Sequence, residues 1–196
     1  MIKNLRQKLA DYQPRRFTTD RPQASVLVAL TDEADPTVIL TQRSSRLSTH
    51  QGEVVFPGGK HDLTDADLVT TALREAHEEV AIHPNEVEII GSLGQLMSKH
   101  QLQVTPWVGI VRPDIDLKAN PGELDAVFRV PLSFFMEDRR LRTDEIHFRG
   151  KTTYVPAWQY DGFIIWGLTA YLMVELLNVG LDAGIPMKPR PEHLQQ

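Results

Sequence analysis

Phe56-Pro57-Gly58-Gly59, then fourteen residues, then Arg74-Glu75-Ala76-His77-Glu78-Glu79, is the stretch from which the rest of the sequence is read. Leading into and through the second motif, Val69, Ala72, Leu73, Ala76 and Val80 recur at three- and four-residue spacing, which predicts an amphipathic helix over residues 67–80. On that helix Glu75, Glu78 and Glu79 stand at i, i+3 and i+4, so their carboxylates share one arc, expected on the face away from the apolar stripe. Like charges at this spacing cost a helix a few tenths of a kcal/mol each, about 0.2–0.5, unless a cation neutralises them. Taken alone, such a charge run reads as an exposed helix face. The Gly58-Gly59 turn upstream changes that reading, because bare backbone approaches a ligand closely and can offer a carbonyl to the same ion. Oxygen donors without Cys or paired His point to Mg²⁺ or Mn²⁺ rather than zinc.

Outward from this region, residues 25–30, 37–41, 87–93, 104–111 and 126–130 are short, rich in β-branched residues and bounded by Pro, Gly, Asp or Asn, and are predicted strands. Residues 146–148 and 152–155, around Arg149-Gly150-Lys151, read as a hairpin. Residues 1–11 read as a short amphipathic helix. Residues 163–174 are the most apolar run, too short to span a bilayer, and read as part of a buried helix. A second helical stripe, Leu168, Leu172, Leu176 and Val179, runs over residues 167–179, with Gly180 expected to stop it. The pattern predicts one domain over residues 1–196, of the α/β (α+β) class with a mixed β-sheet.

The 196 residues carry a formal charge of −5, so no overall field draws the chain to nucleic acid or anionic lipid, and neither is an expected partner. The cysteine-free sequence excludes disulfides, a thiolate zinc site and a cysteine nucleophile, and fits the reducing cytoplasm. The first residues lack the apolar stretch of a signal peptide, and Leu194-Gln195-Gln196 is not a peroxisomal address. His50, His61, His77, His83, His100, His147 and His193 show no ligand-like pairing, and Trp107, Trp158 and Trp166 read as core or rim packing.

Gly59, Asp65, Arg74, Glu75, Ala76, Glu78, Glu79 and Ile82 resemble the signature of the Nudix hydrolases, G-x5-E-x7-R-E-U-x-E-E-x-G-U, where U is aliphatic. Asp65 stands for the first glutamate, Ala81 for the last glycine, and the interval from Gly59 to Arg74 is one residue longer. That longer interval, with Pro57-Gly58-Gly59-Lys60-His61-Asp62-Leu63-Thr64-Asp65 and Thr71-Ala72-Leu73-Arg74-Glu75-Ala76, is similar to the coenzyme A pyrophosphatase branch. So are Leu40-Thr41-Gln42-Arg43-Ser44 and Gly52, although Ser48 stands where that branch has its second arginine, with Arg46 two positions earlier. The likeness continues more loosely through Val104-Thr105-Pro106-Trp107, Glu123-Leu124, Val130-Pro131-Leu132 and Trp166-Gly167-Leu168-Thr169.

The resemblance implies the Nudix-type α/β/α sandwich and metal-dependent hydrolysis of a diphosphate linked to another group, here coenzyme A or its thioesters. It implies Glu75, Glu78 and Glu79 as metal ligands with the backbone carbonyl of Gly58 or Gly59, and Arg74 as the residue orienting a carboxylate. Arg43, Ser44 and Arg46, with Gly58 and Gly59, are the expected substrate contacts. The resemblance leaves the general base to either an acid of the helix or a loop carboxylate, and Glu123, in the turn-rich Asn120-Pro121-Gly122-Glu123-Leu124 where a mobile acid could approach, is the loop candidate, ahead of Asp125 and Glu145. Another nucleoside diphosphate derivative, such as NADH or ADP-ribose, is the alternative substrate. A non-catalytic binding or regulatory protein of the same fold is the alternative class.

Overall fold

The computed structural model describes residues 1–46, 51–148 and 150–188. Its centre is the strand β1 (Gln23–Thr31), whose side chains alternate between two buried faces. Leu27 and Ala29 face the helix α2 (Leu68–Val80), where Ala72, Ala76 and Val80 complete the layer. Val28 and Leu30 face the other way, onto a core that includes Ile2, Leu5 and Leu9 of α1 (Ile2–Asp11) and Leu172, Met173, Leu176 and Leu177 of α4 (Gly167–Leu181). A sheet covered on both faces by helices is the expected α/β/α sandwich.

β2 (Thr37–Arg43) pairs with β1 only at Leu30↔Val38, after which the two strands splay. β3 (Val54–Val55) fills the gap along β2, and β4 (Gly58–Lys60) fills it along β1. The Gly-Gly segment is therefore wedged into an opening of the central sheet. β5 (Glu88–Ser92), β6 (Leu96–Met97), β7 (Gln103–Val111) and β8 (Leu124–Pro131) complete the main sheet. β7 runs parallel to β1 over Gln23↔Gln103 to Thr31↔Val111, and the remaining pairings are antiparallel, so the sheet is mixed. Past the short helix α3 (Leu132–Met136), β9 (Arg142–Phe148), β10 (Lys151–Tyr160) and β11 (Phe163–Ile165) form a separate three-stranded sheet.

Two expectations are corrected here. Phe163–Ile165 is a strand pairing with β10, and the helix begins only at Gly167, because Trp158↔Ile165 and its neighbours satisfy the backbone as a hairpin around Asp161-Gly162. Gly180 does not stop α4, which continues to Leu181 and ends at Asp182 with φ 52°. A Cβ at Gly180 would overlap the Leu5 side chain, so this glycine lets α1 pack closely on α4. Among the described residues, no helix is long and apolar enough to cross a membrane.

Candidate active site

The helix α2 is entered through Asp67, whose carboxylate accepts the Thr70 N–H at 2.7 Å as an N-cap. It is left through Ala81, which takes the left-handed conformation (φ 63°, ψ 22°) and donates its N–H to the His77 carbonyl at 3.1 Å. The alanine keeps the conformation that glycine adopts without a Cβ penalty. The acidic last two turns are thus held at a defined angle over β4.

Glu79 departs from the sequence reading. Its side chain is not on the exposed face but is only 2% exposed, and the Gly58 N–H donates to its Oε2 at 3.0 Å. The physical reason lies in the two glycines. A Cβ at Gly58 would collide with the β1 backbone at Ser25 and Val26, and one at Gly59 would sit inside the Glu75 carboxylate. Gly58 thus lets β4 pair tightly with β1 while its N–H faces Glu79, and Gly59 leaves room for the Glu75 carboxylate against bare backbone. Glu78, in contrast, is 53% exposed.

Arg74 gathers the remaining acids. Its Nε and Nη2 donate to Asp65 Oδ1 and Oδ2 at 2.9 and 3.0 Å, while Nη1 donates to Glu75 Oε1 at 2.9 Å and Glu78 Oε2 at 3.2 Å. Asp65, 3% exposed at its side chain, also accepts from the Thr71 hydroxyl at 2.9 Å and the Asp62 N–H at 3.1 Å. The Arg74 contact, with these N–H and O–H donors, holds the Asp65 carboxyl well below the usual carboxylate range despite its burial. The aspartate in the position of the signature's first glutamate is therefore the anchor of Arg74, a role that its spacing to a basic residue could have signalled.

Burial pushes the Glu79 carboxyl up to about 7. The Gly58 N–H and the Arg43 charge oppose the rise, and the Glu75 and Glu123 charges add to it. Glu75 is raised in the same way, by burial first, against the Arg74 hydrogen bond, with Glu78 and Glu123 adding repulsion.

The other candidates divide. Arg43 has its Nε buried with no hydrogen-bond partner among the described residues. Ser44 is fully buried, and its N–H donates to the Glu123 carbonyl at 2.8 Å. Arg46 turns to the Pro121 carbonyl through Nη2 at 2.7 Å and to Ser44 Oγ through Nε at 3.3 Å. Asp125 accepts the Ser45 N–H at 2.9 Å, and Glu145 lies on β9 beside His147. His77 is exposed, its ring edge-on to His83. Ser48, His50, Arg149 and His193 lie outside the described residues.

A divalent cation fits this chemistry: the donors are carboxylate oxygens, and a buried acid crowded by two others is relieved by positive charge. Among the described residues no three His, Asp or Glu side chains converge as a ready-made cage, and Glu75 and Glu78 both accept from Arg74 Nη1. The residues that would hold the ion are Glu75, Glu79 and Glu78.

The glycine wedge and the acidic helix define a class: residues 21–149 match the NUDIX domain, and the chain belongs to the Nudix hydrolase family. It is 44% identical over 169 residues to a protein of Klebsiella pneumoniae subsp. pneumoniae described as "Uncharacterized Nudix hydrolase NudL", covering 86% of this chain and 88% of that one. The fold is similar to that of the M. Smegmatis Nudix hydrolase RenU, with TM-score 0.54, 15% identity and 87% and 91% of the two chains covered. It is also similar to a MutT/nudix family protein from Enterococcus faecalis, with TM-score 0.55, 16% identity and 93% and 70% covered. Members of the family generally work with divalent metal ions on nucleoside diphosphate compounds.

Proposed function

We propose that this chain hydrolyses the diphosphate of coenzyme A or an acyl-coenzyme A, giving 3′,5′-ADP and 4′-phosphopantetheine or its acyl form. The observation that carries the reading is the buried Glu79 carboxylate, which accepts the Gly58 N–H one turn on from Glu75. Mg²⁺ or Mn²⁺ held by Glu75, Glu78, Glu79 and the Gly58 carbonyl would supply positive charge to the diphosphate and acidify the attacking water. Arg74 keeps Glu75 and Glu78 oriented while anchored on Asp65. The Arg43 guanidinium is the residue that would meet a phosphate oxygen beside Gly58 and Gly59, while the fully buried Ser44 contributes by holding the Arg43–Arg46 turn against the Glu123 loop. Glu123 takes the proton of the attacking water on its carboxylate.

The coenzyme A assignment rests on the stretch from Leu40 to Ser44 with Phe56 to Gly59, which β2, β3 and β4 bring to the opening of the sheet. Residues 1–196 act as one unit in this reading, since α1 and α4, outside the matched span, share a core with β1. The cytoplasm is its setting. Another nucleoside diphosphate derivative as substrate is favoured by one observation: Arg46 is engaged with the Pro121 carbonyl rather than left to read a 3′-phosphate.

The test is hydrolysis of coenzyme A, dephospho-coenzyme A, ADP-ribose and NADH with Mg²⁺ or Mn²⁺, with products identified by mass. Coenzyme A is expected to be cleaved at least about tenfold faster than its dephospho form. Equal rates would move the assignment to the other diphosphates, and no cleavage of any would leave the non-catalytic reading.

A further inference from the structure

Residues 118–124 are tied down at several points. The Lys118 and Asn120 N–H groups donate to the Val80 and Glu79 carbonyls at 3.1 and 2.8 Å, satisfying acceptors that the end of α2 leaves open. The Ser44 N–H and the Arg46 guanidinium hold the far side, at the Glu123 and Pro121 carbonyls. The loop that carries Glu123 is thus bonded to the end of α2 through Lys118 and Asn120, and to Ser44, the residue after β2, through the Glu123 carbonyl.

At the middle of this loop Asn120 uses every polar group it has. Its carbonyl accepts the Glu123 and Leu124 N–H groups at 3.1 and 2.9 Å, and its Oδ1 accepts the Gly122 N–H at 3.0 Å. Its Nδ2 donates to Glu123 Oε1 at 3.3 Å. A Cβ at residue 122 would stand 3.3 Å from Asn120 Oδ1, so the glycine there leaves the amide its room. The Nδ2 contact is a different kind from the others, since it holds the carboxylate rather than the chain. Asn is suited to this: it offers an acceptor to the turn and a neutral donor to an acid in one planar group.

We propose that Asn120 is a positioning residue for the hydrolysis, holding the Glu123 carboxylate through its Nδ2 while its own backbone N–H ties the loop to Glu79 at the end of α2. This rests on the reading of Glu123 as the base. Asn120 touches no substrate in this account and acts through Glu123.

Asn120→Asp is the test, because it keeps the backbone bonds and the acceptor for Gly122 and replaces only the donor to Glu123 with a like charge. Steady-state hydrolysis of coenzyme A and ADP-ribose is measured for the parent, Asn120→Asp, Glu123→Gln and the double variant, with melting temperatures alongside. The expected result is a kcat about 10- to 100-fold lower in Asn120→Asp, with KM within about threefold. Combining it with Glu123→Gln is expected to add less than about twofold to the loss from Glu123→Gln alone, the non-additivity of residues acting through one group. Full additivity, equal loss in KM and kcat with a fallen melting temperature, or an unchanged kcat would each overturn the proposal while Glu123→Gln still lost activity. If Glu123→Gln retained full activity, or no substrate were cleaved, the base assignment itself would fail and the proposal with it. Asn120→Ser, a smaller neutral residue, checks that the loss in Asn120→Asp is not a folding defect: it should melt near the parent and show the same coupling to Glu123→Gln.

Discussion

Asp65 holds Arg74 by two parallel hydrogen bonds, Nε to Oδ1 at 2.9 Å and Nη2 to Oδ2 at 3.0 Å, leaving Nη1 to reach Glu75 and Glu78. The arginine is therefore a bridge with one end fixed in a covered carboxylate and the other among the acids of the site. A planar fork suits this arrangement, because a point charge such as lysine would satisfy only part of it.

Asp65→Asn is expected to lower stability at pH 7 by about 2 kcal/mol, the scale of hydrogen bonds to charged groups. The Asp65 carboxyl is lowered in the folded chain relative to its ordinary 3.8, so its contribution is present above that value and is lost as pH falls toward the folded one. Chemical denaturation of parent and variant across pH 3 to 7 checks this: the gap should be full at neutral pH and shrink below about pH 4. A gap independent of pH would show that the ion pair is not its source.

Ala81→Gly should stabilise the chain by about 1 kcal/mol, since the alanine sits at φ 63° where glycine carries no Cβ penalty. For a chain of this size that corresponds to roughly 2–4 °C in melting temperature. Turnover is expected to stay within about threefold, because the conformation is already the one glycine would take. A large gain in rate would mean that the helix exit, and with it the placing of Glu79, is strained in the present sequence.

The layers of the fold were legible because β1 and α2 carry regular patterns: alternation in the strand, three- and four-residue spacing in the helix. What escaped was set by pairing rather than by side-chain type. β4 is built on two glycines that no strand propensity marks, and it exists because β1 and β2 splay and leave an edge to fill. Phe163–Ile165 is as apolar as the helix after it, so hydropathy merges the two. The acidic motif announced a cluster but not its inner structure. Helical spacing puts Glu75, Glu78 and Glu79 in one arc, yet only the close approach of α2 to bare backbone decides that Glu79 is buried and Glu78 exposed. The Asn120 contact with Glu123 involves residues three apart in a turn, where no periodicity applies.

Glu79→Gln is expected to stabilise the metal-free chain in alkaline solution. The Glu79 carboxyl is raised to about 7 from 4.5, so its neutral form favours folding below pH 4.5 and that contribution is lost as pH rises through 7. Glutamine keeps an acceptor for the Gly58 N–H and carries no charge. At pH 8 in a chelator the variant should exceed the parent by about 2–3 kcal/mol, and near pH 4.5 the two should be close. Denaturation curves at both pH values decide it, and a parent more stable than the variant at pH 8 would show that the buried charge is already compensated by the protein.

The central claim, that the carboxylates of α2 hold a divalent cation beside the glycine wedge, is tested most directly by titrating Mn²⁺ and following the free ion by electron paramagnetic resonance. The parent is expected to bind Mn²⁺, Mg²⁺ to compete for the site, and Glu75→Gln/Glu79→Gln to lose at least about tenfold in affinity while keeping its fold by circular dichroism. A folded double variant that binds Mn²⁺ as tightly as the parent would contradict the account.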